Sequence, residues 1–233
     1  MKTIGIIGGM SYESSLHYYE RINRQVNEIC GDLTCAKLLI YNVNFQEIRS
    51  RMLDGKWDEI GDILSKVAKT LESAGADYIV IATNTIHKVA DKVEESISIP
   101  LIHIADTVSE VVHKKGIKKV GLLGTKYTMT EDFLRNRIKS NGIDAVVPKE
   151  RLEIDEIDRI IFDELCKGEI RDISKEYYIS VINKMVEEEG IEGVILGCTE
   201  IEMLLKDGDV SVPLFDTTQA HIDAIVDYAL EKR

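Results

Sequence analysis

What most limits how this chain can fold is that it repeats its own pattern. Gly75-Ala76-Asp77-Tyr78-Ile79-Val80-Ile81-Ala82-Thr83-Asn84-Thr85 can be laid over Gly190-Ile191-Glu192-Gly193-Val194-Ile195-Leu196-Gly197-Cys198-Thr199-Glu200, which sets Thr83 on Cys198. Earlier in each half, Lys2-Thr3-Ile4-Gly5-Ile6-Ile7-Gly8-Gly9 matches Lys118-Lys119-Val120-Gly121-Leu122-Leu123-Gly124-Thr125. Later in each, Ile97-Ser98-Ile99-Pro100-Leu101-Ile102 matches Val210-Ser211-Val212-Pro213-Leu214-Phe215. The spacing agrees as well: 75 positions separate Gly8 from Thr83, and 74 separate Gly124 from Cys198. Three matches in the same order indicate a duplicated α/β half. The expectation is two halves related by a pseudo-two-fold axis, with matching loops facing one another across a cleft. Residues at equivalent positions would then approach one substrate from opposite sides.

Within the repeat, the strand ends carry the chemistry. Val194, Ile195 and Leu196 are the unbroken apolar run of a strand buried on both faces, and Gly197 ends it. Thr199 and Glu200 should open a helix. A thiol between a strand's carboxyl end and a helix's amino end is expected to favour thiolate. Taken alone, Cys198 has a competing reading, because free cysteine is among the most buried residue types and often only packs. The loop Gly8-Gly9-Met10-Ser11 could hold an anion on its N–H groups. Gly5, Gly8 and Gly9 do not form G-x-G-x-x-G, so a dinucleotide fingerprint is absent.

The helix after that loop should bury Leu16, Tyr19, Ile22, Val26 and Ile29. Residues 37–43 read as the second strand, followed by a polar segment with Arg49 and Arg51, and an arginine there suits a carboxylate or is simply a solvated charge. Residues 57–74 are an amphipathic helix, and 86–97 another, on which His87 reads as packed or surface-exposed rather than as a ligand. Thr125 or Thr128 caps a helix running to residue 140, or grips a substrate. Helices are expected over 152–165 and 172–189, with Lys167 in the turn between them either exposed or reaching into the cleft. A last strand at 214–215 precedes a closing helix over 217–230.

Composition sets outer limits. A formal charge of −12 with no long basic run argues against nucleic acid and anionic membrane as partners. The amino terminus enters a strand with no signal-peptide pattern, and the expected location is cytoplasmic. The four cysteines, at 30, 35, 166 and 198, show neither a disulfide framework nor paired metal-ligand spacing, so no metal is assigned.

With Gly8-Gly9-Met10-Ser11, Asn84-Thr85, Ile99-Pro100, Gly124-Thr125, Gly197-Cys198-Thr199-Glu200 and Val212-Pro213 in place, the chain resembles the cofactor-independent aspartate/glutamate racemase family along essentially its whole length. The resemblance implies two flavodoxin-like α/β domains, each with a four-stranded parallel sheet flanked by helices, and an active site in the interdomain cleft. The last strand and helix should return to the first half, giving residues 1–98 with 210–233 as one domain and 99–209 as the other. It also implies a homodimer, a small acidic amino acid (aspartate or glutamate) as substrate, and no cofactor.

In that family two cysteines normally face each other, one in Cys-Asn-Thr and one in Gly-Cys-Thr. Thr83 stands where the first is expected, so the resemblance is to a Thr/Cys variant selective for L-configured acidic amino acids. Asn84 and Thr85 match residues that hold the α-carboxylate, joined by Thr199, Met10, Ser11 and Thr125. Arg49 and Lys167 match positions that neutralise the side-chain carboxylate, and Glu200 resembles the aspartate-racemase branch. The implied activity is pyridoxal-phosphate-independent racemisation, with Cys198 as base for the L-enantiomer and Thr83 on the opposite face. A threonine alcohol has little basicity, so it either relays a proton or only shapes the pocket. The competing readings are a one-cysteine decarboxylase or isomerase of small dicarboxylates, and a non-catalytic chain that binds an acidic amino acid.

Overall fold

The first apolar run forms strand β1 (Ile4–Gly8), buried at every residue as a strand covered on both faces must be. Helix α1 (Tyr12–Cys30) leads to β2 (Leu38–Asn42), and α2 (Phe45–Leu53) and α3 (Trp57–Ser73) lead to β3 (Tyr78–Ile81). β1 pairs in parallel with both, Ile4 lying against Leu38 on one side and Tyr78 on the other, in the order β2-β1-β3. A 3-10 turn (Thr85–Val89) and the short α4 (Ala90–Glu94) follow. The computed structural model describes residues 1–231.

Alternation along the strands sends side chains to two cores. Ile4, Ile6, Tyr78 and Val80 pack with Tyr18, Ile22 and Val26 of α1, whereas Ile7, Ile79 and Ile81 pack with Ile60, Leu64 and Val67 of α3. The buried face of α1 is therefore Tyr18-Ile22-Val26, with Ser14 and Ser15 at its start. Leu16, Tyr19 and Ile29, expected inside, are exposed. Spacing identified the helix but set its face about one residue away from the true one.

A fourth strand was expected in this sheet, and only a parallel bridge between Ile79 and Leu101 forms. The local chemistry explains the shortfall. The Glu72 carboxylate takes the N–H groups of Ser98 (2.8 Å) and Ile99 (3.2 Å), and Pro100 has none to give a ladder.

The chain continues through α5 (Ile104–Lys114), β4 (Lys119–Gly124), α6 (Lys126–Thr130), α7 (Asp132–Ser140) and β5 (Asp144–Val146). Then come α8 (Arg151–Asp163), a 3-10 turn (Leu165–Lys167), α9 (Asp172–Glu189), β6 (Val194–Gly197), α10 (Ile201–Leu204), β7 (Leu214–Asp216) and α11 (Thr217–Ala229). The second sheet is parallel in the order β5-β4-β6-β7. The helix expected from Thr125 to residue 140 is broken at Glu131, which is extended.

Two compact units result: Met1–Ile104 together with the chain from His221 onward, and Ala105–Ala220. The last strand was expected to return to the first half. Instead β7 completes the second sheet, with the Val194 N–H bonded to the Pro213 carbonyl (2.9 Å) and the Phe215 ring filling the space above Gly193. Only the later part of α11 goes back, placing Ile222, Ile225 and Val226 against Ile4 and Ile6. Among the described residues, no helix is long and apolar enough to cross a membrane.

Candidate active site

In the first unit, parallel pairing of Ile7 with Ile81 brings the ends of β1 and β3 side by side. Both loops are then tied by serines at the start of α1. The Ser14 hydroxyl donates to the Ala82 carbonyl (2.8 Å), and Ser15 Oγ accepts from the Gly9 N–H (2.7 Å) while donating to the Ser11 carbonyl (3.0 Å). Ser11 caps α1, its hydroxyl oxygen accepting from the Ser14 N–H at 3.3 Å. A side chain on Gly9 would overlap the Val43 carbonyl, and its φ of 89° is one that glycine tolerates best.

Within this frame Met10, Asn84 and Thr85 are buried and Thr83 is half-buried at the turn. These four and Ser11 therefore cluster at the carboxyl ends of β1 and β3. Arg49 lies on α2, exposed to solvent and without an ion pair among the described residues. Ser14 and Ser15 were not anticipated as site-shaping residues. Their signal was available, since serines in a first helical turn readily bond nearby backbone.

In the second unit the same register recurs, Leu123 opposite Leu196 and Gly124 opposite Gly197. A Cβ on Gly124 would sit 2.9 Å from the Gly197 carbonyl oxygen, and one on Gly197 would sit 3.0 Å from the Leu123 carbonyl oxygen. Both would also press on Thr128, so this close approach accounts for glycine at the end of each strand. Thr125 is buried, accepts from the Thr128 N–H (3.4 Å) and lies 3.2 Å from the Thr128 hydroxyl. The capping role of Thr125 is thus real, and it coexists with a place beside the β6 turn. Lys167 is exposed, its ammonium 3.8 Å from the Asp163 carboxylate.

Cys198 is buried, and its thiol donates to Glu200 Oε2 at 3.0 Å. Thr199 donates to the same oxygen at 2.6 Å. Burial first, and then the negative charge of Glu200 and its hydrogen bond, hold the Cys198 thiol well above the ordinary thiol range. This corrects the expectation of a thiolate favoured by a helix terminus. α10 has four residues and begins three positions beyond the cysteine, so it offers little dipole, while a carboxylate stands directly against the sulfur. Cys166 belongs to the same neighbourhood. Cys166 is exposed as a residue, and its thiol is raised first by desolvation of the sulfur and then by the charges of Glu200 and Asp158.

Glu200 is the residue whose place in the site went unrecognised. It can take the proton that Cys198 must lose before acting as a base. The sign of its effect is testable. Removing the charge in Glu200→Gln should move the pH midpoint of Cys198 alkylation downward, while slowing any reaction that needs the carboxylate to receive the thiol proton. Peptide-resolved iodoacetamide labelling against pH reads this, and an unmoved Cys198 midpoint would remove Glu200 from the sulfur's environment.

Among the described residues, no group of three or more His, Cys, Asp or Glu is arranged to hold a metal. Each unit thus carries its own cluster on paired strand ends: hydroxyls and an amide beside β1 and β3 in the first, and a thiol with an adjacent carboxylate beside β4 and β6 in the second. A family model described as Asp/Glu/Hydantoin racemase matches residues 7–225, and the chain belongs to that family.

Particular relatives agree. A solved chain from Yersinia pestis, provisionally assigned as an Asp/Glu racemase, is 45% identical with a TM-score of 0.93, covering 99% of this chain and 100% of that one. An aspartate racemase homologue from Pyrococcus horikoshii OT3 is 42% identical with a TM-score of 0.88 over 99% of this chain and 100% of its own. The broad specificity amino-acid racemase RacX of Bacillus subtilis is 26% identical over 61% of this chain and 63% of the relative. The glutamate racemase of Aquifex pyrophilus is 29% identical over 61% of this chain and 55% of its own. The chain thus spans 63% and 55% of the lengths of these two curated relatives.

Proposed function

We propose that the chain is a racemase of acidic amino acids, aspartate or glutamate, working without pyridoxal phosphate. The observation that carries this reading is the Cys198 thiol, buried at the end of β6 with a carboxylate 3.0 Å away to accept its proton. Glu200 takes the thiol proton, and the thiolate removes the α-proton of the L-enantiomer. A proton then returns to the opposite face of the carbanion from the Thr83 side.

An α-proton beside a carboxylate is very weakly acidic, so the developing charge needs preorganised donors in a water-poor site. Asn84, Thr85, Thr125 and Thr199, with the Met10-Ser11 loop, are proposed to hold the α-carboxylate. The homodimer and the cytoplasmic location implied by the resemblance form part of the same proposal.

The relatives include both a glutamate racemase and a broad-specificity racemase. Selectivity for an acidic side chain is therefore assigned here to Arg49 and Lys167. Neither cation is locked into a tight internal ion pair, so both have charge to offer an incoming carboxylate. Neutralising either should weaken aspartate and glutamate by about tenfold, roughly the 1–2 kcal/mol expected of one charge-assisted contact, and leave alanine nearly unaffected. Equal losses for all three amino acids in competition assays would show that these cations do not read the side chain.

The proposal as a whole is tested by incubating the protein with L-aspartate or L-glutamate in deuterated water and following the α-proton by NMR. Loss of that signal supports racemase chemistry. The preference of Cys198 for its protonated form is also what a non-catalytic amino-acid-binding chain would show, and binding without α-proton loss would favour that reading. Turnover of a malonate or of maleate, without exchange of either amino acid, would point to the decarboxylase or isomerase instead.

A further inference from the structure

His87 is 3% exposed on the 3-10 turn after Thr83, and both its ring nitrogens are engaged. Nδ1 lies 2.7 Å from the Thr83 carbonyl oxygen, and Nε2 lies 3.3 Å from the Ile104 backbone nitrogen. A backbone N–H can only donate, so Nε2 must be the bare nitrogen. A neutral ring then carries its proton on Nδ1, aimed at the Thr83 carbonyl. One residue earlier, the Ala82 carbonyl is held by Ser14 at 2.8 Å, and the Thr83 N–H is bonded to Ile81 at 2.9 Å. The backbone around Thr83 is thus fixed at three consecutive points.

The ring itself is walled in by imidazoles. His103 packs edge-on with centroids 4.6 Å apart, and His221 lies 6.0 Å away. His221 is locked in turn between the Tyr18 hydroxyl at 2.8 Å and the Ile102 carbonyl at 2.9 Å. Burial, followed by the proximity of His87, pushes His221 down to about 3, which keeps the His221 ring neutral at physiological pH. Along the chain, Ile104 ends the first unit and His221 reopens it, so the cluster ties the Thr83 turn to the segments where the chain leaves and returns.

In the duplicated half a carboxylate replaces the imidazole at this point. The position equivalent to His87 is Glu202, and the Cys198 carbonyl there takes the Ile201 N–H at 3.2 Å. An alcohol is a poor proton carrier, so its contribution depends on placement more than a thiol's does. Misplacement by about 1 Å can cost on the order of a hundredfold in rate.

We propose that His87 is a positioning residue for Thr83, its Nδ1–H holding the Thr83 carbonyl so that the hydroxyl serves the second face of the substrate. This rests on the racemase reading above. Two variants separate the contacts: His87→Asn places an amide donor near the Nδ1 site, and His87→Gln places its polar end near the Nε2 site. His87→Leu removes both. For His87→Leu and His87→Gln, kcat for deuterium wash-in from the D-enantiomer should fall by about tenfold or more with KM little changed, while wash-in from the L-enantiomer changes far less. His87→Asn should restore most of the D-side rate. Equal losses on both sides, rescue by Gln rather than Asn, or no effect in any variant would overturn the proposal.

Two readouts do not need turnover. Nitrogen-15 shifts of the histidine rings should report the Nδ1–H tautomer, and amide hydrogen exchange over residues 83–85 should quicken in His87→Leu and recover in His87→Asn. An Nε2–H tautomer, or unaltered protection in His87→Leu, contradicts the clamp. If the parent exchanges neither enantiomer, the racemase reading fails and the catalytic role of His87 fails with it, while these readouts still decide whether His87 holds the turn.

Discussion

Cys198→Ala is expected to lower α-proton exchange from L-aspartate or L-glutamate by about 10²–10⁴-fold, the usual worth of a positioned proton-transfer group. The reason lies in what remains. Threonine at position 83 cannot act unaided as a base, and Glu200 is assigned to the sulfur, 3.0 Å from its Oε2, as acceptor of the thiol proton and not to the substrate. Groups assigned to the α-carboxylate are untouched, and the substitution removes only one sulfur from the buried apolar cluster that includes Leu196, Ile201 and Tyr178. Substrate binding, followed by calorimetry, should therefore persist while exchange disappears. Exchange at the parental rate would remove Cys198 from the mechanism.

Thr83→Cys is expected to produce the opposite asymmetry, raising exchange from the D-enantiomer by one to two orders of magnitude, about the gap between an alcohol and a thiol as proton carriers. The repeat sets Thr85 where Glu200 stands in the other half. A thiol at position 83 would thus lack the carboxylate that, after burial, raises Cys198. Its alkylation should titrate at lower pH than that of Cys198 in the same protein. The L-side rate should change less, because its base is unaltered. A variant that accelerates only the L-enantiomer would contradict the assignment of Thr83 to the second face.

The duplication and the strand-end positions of Thr83 and Cys198 were legible because they depend on local, short-range pattern. Apolar runs ending in glycine became β1, β4 and β6, the run Tyr78–Ile81 leading into Ala82-Thr83 became β3, and the matching registers of the two sheets follow from them. What depended on long-range partners was not legible. The fourth strand of the first sheet is lost to Glu72, 26 residues away from the Ser98 N–H that its carboxylate captures. β7 joins the second sheet along β6, as its repeat match to residues 97–102 would place it, whereas the family resemblance sends it to the first half.

The chemistry of Cys198 shows the same division. Its position between strand and helix was readable, but the state of its proton was not. That state is set by burial and by where the Glu200 side chain turns, and a glutamate two residues on can as easily face solvent. His87 is similar: a histidine in a polar turn gives no sign that its two nitrogens will be divided between Thr83 and Ile104.

The central claim is that two unlike groups serve the two enantiomers, a thiol with its own proton acceptor on one side and an alcohol on the other. Deuterium wash-in measured separately from pure L- and pure D-aspartate, and likewise for glutamate, tests it most directly. The account predicts that initial exchange from the L-enantiomer is faster by about tenfold or more, because a thiolate removes a proton far more readily than an alcohol does. Equal initial rates from the two enantiomers, or a faster rate from the D-enantiomer, would contradict it.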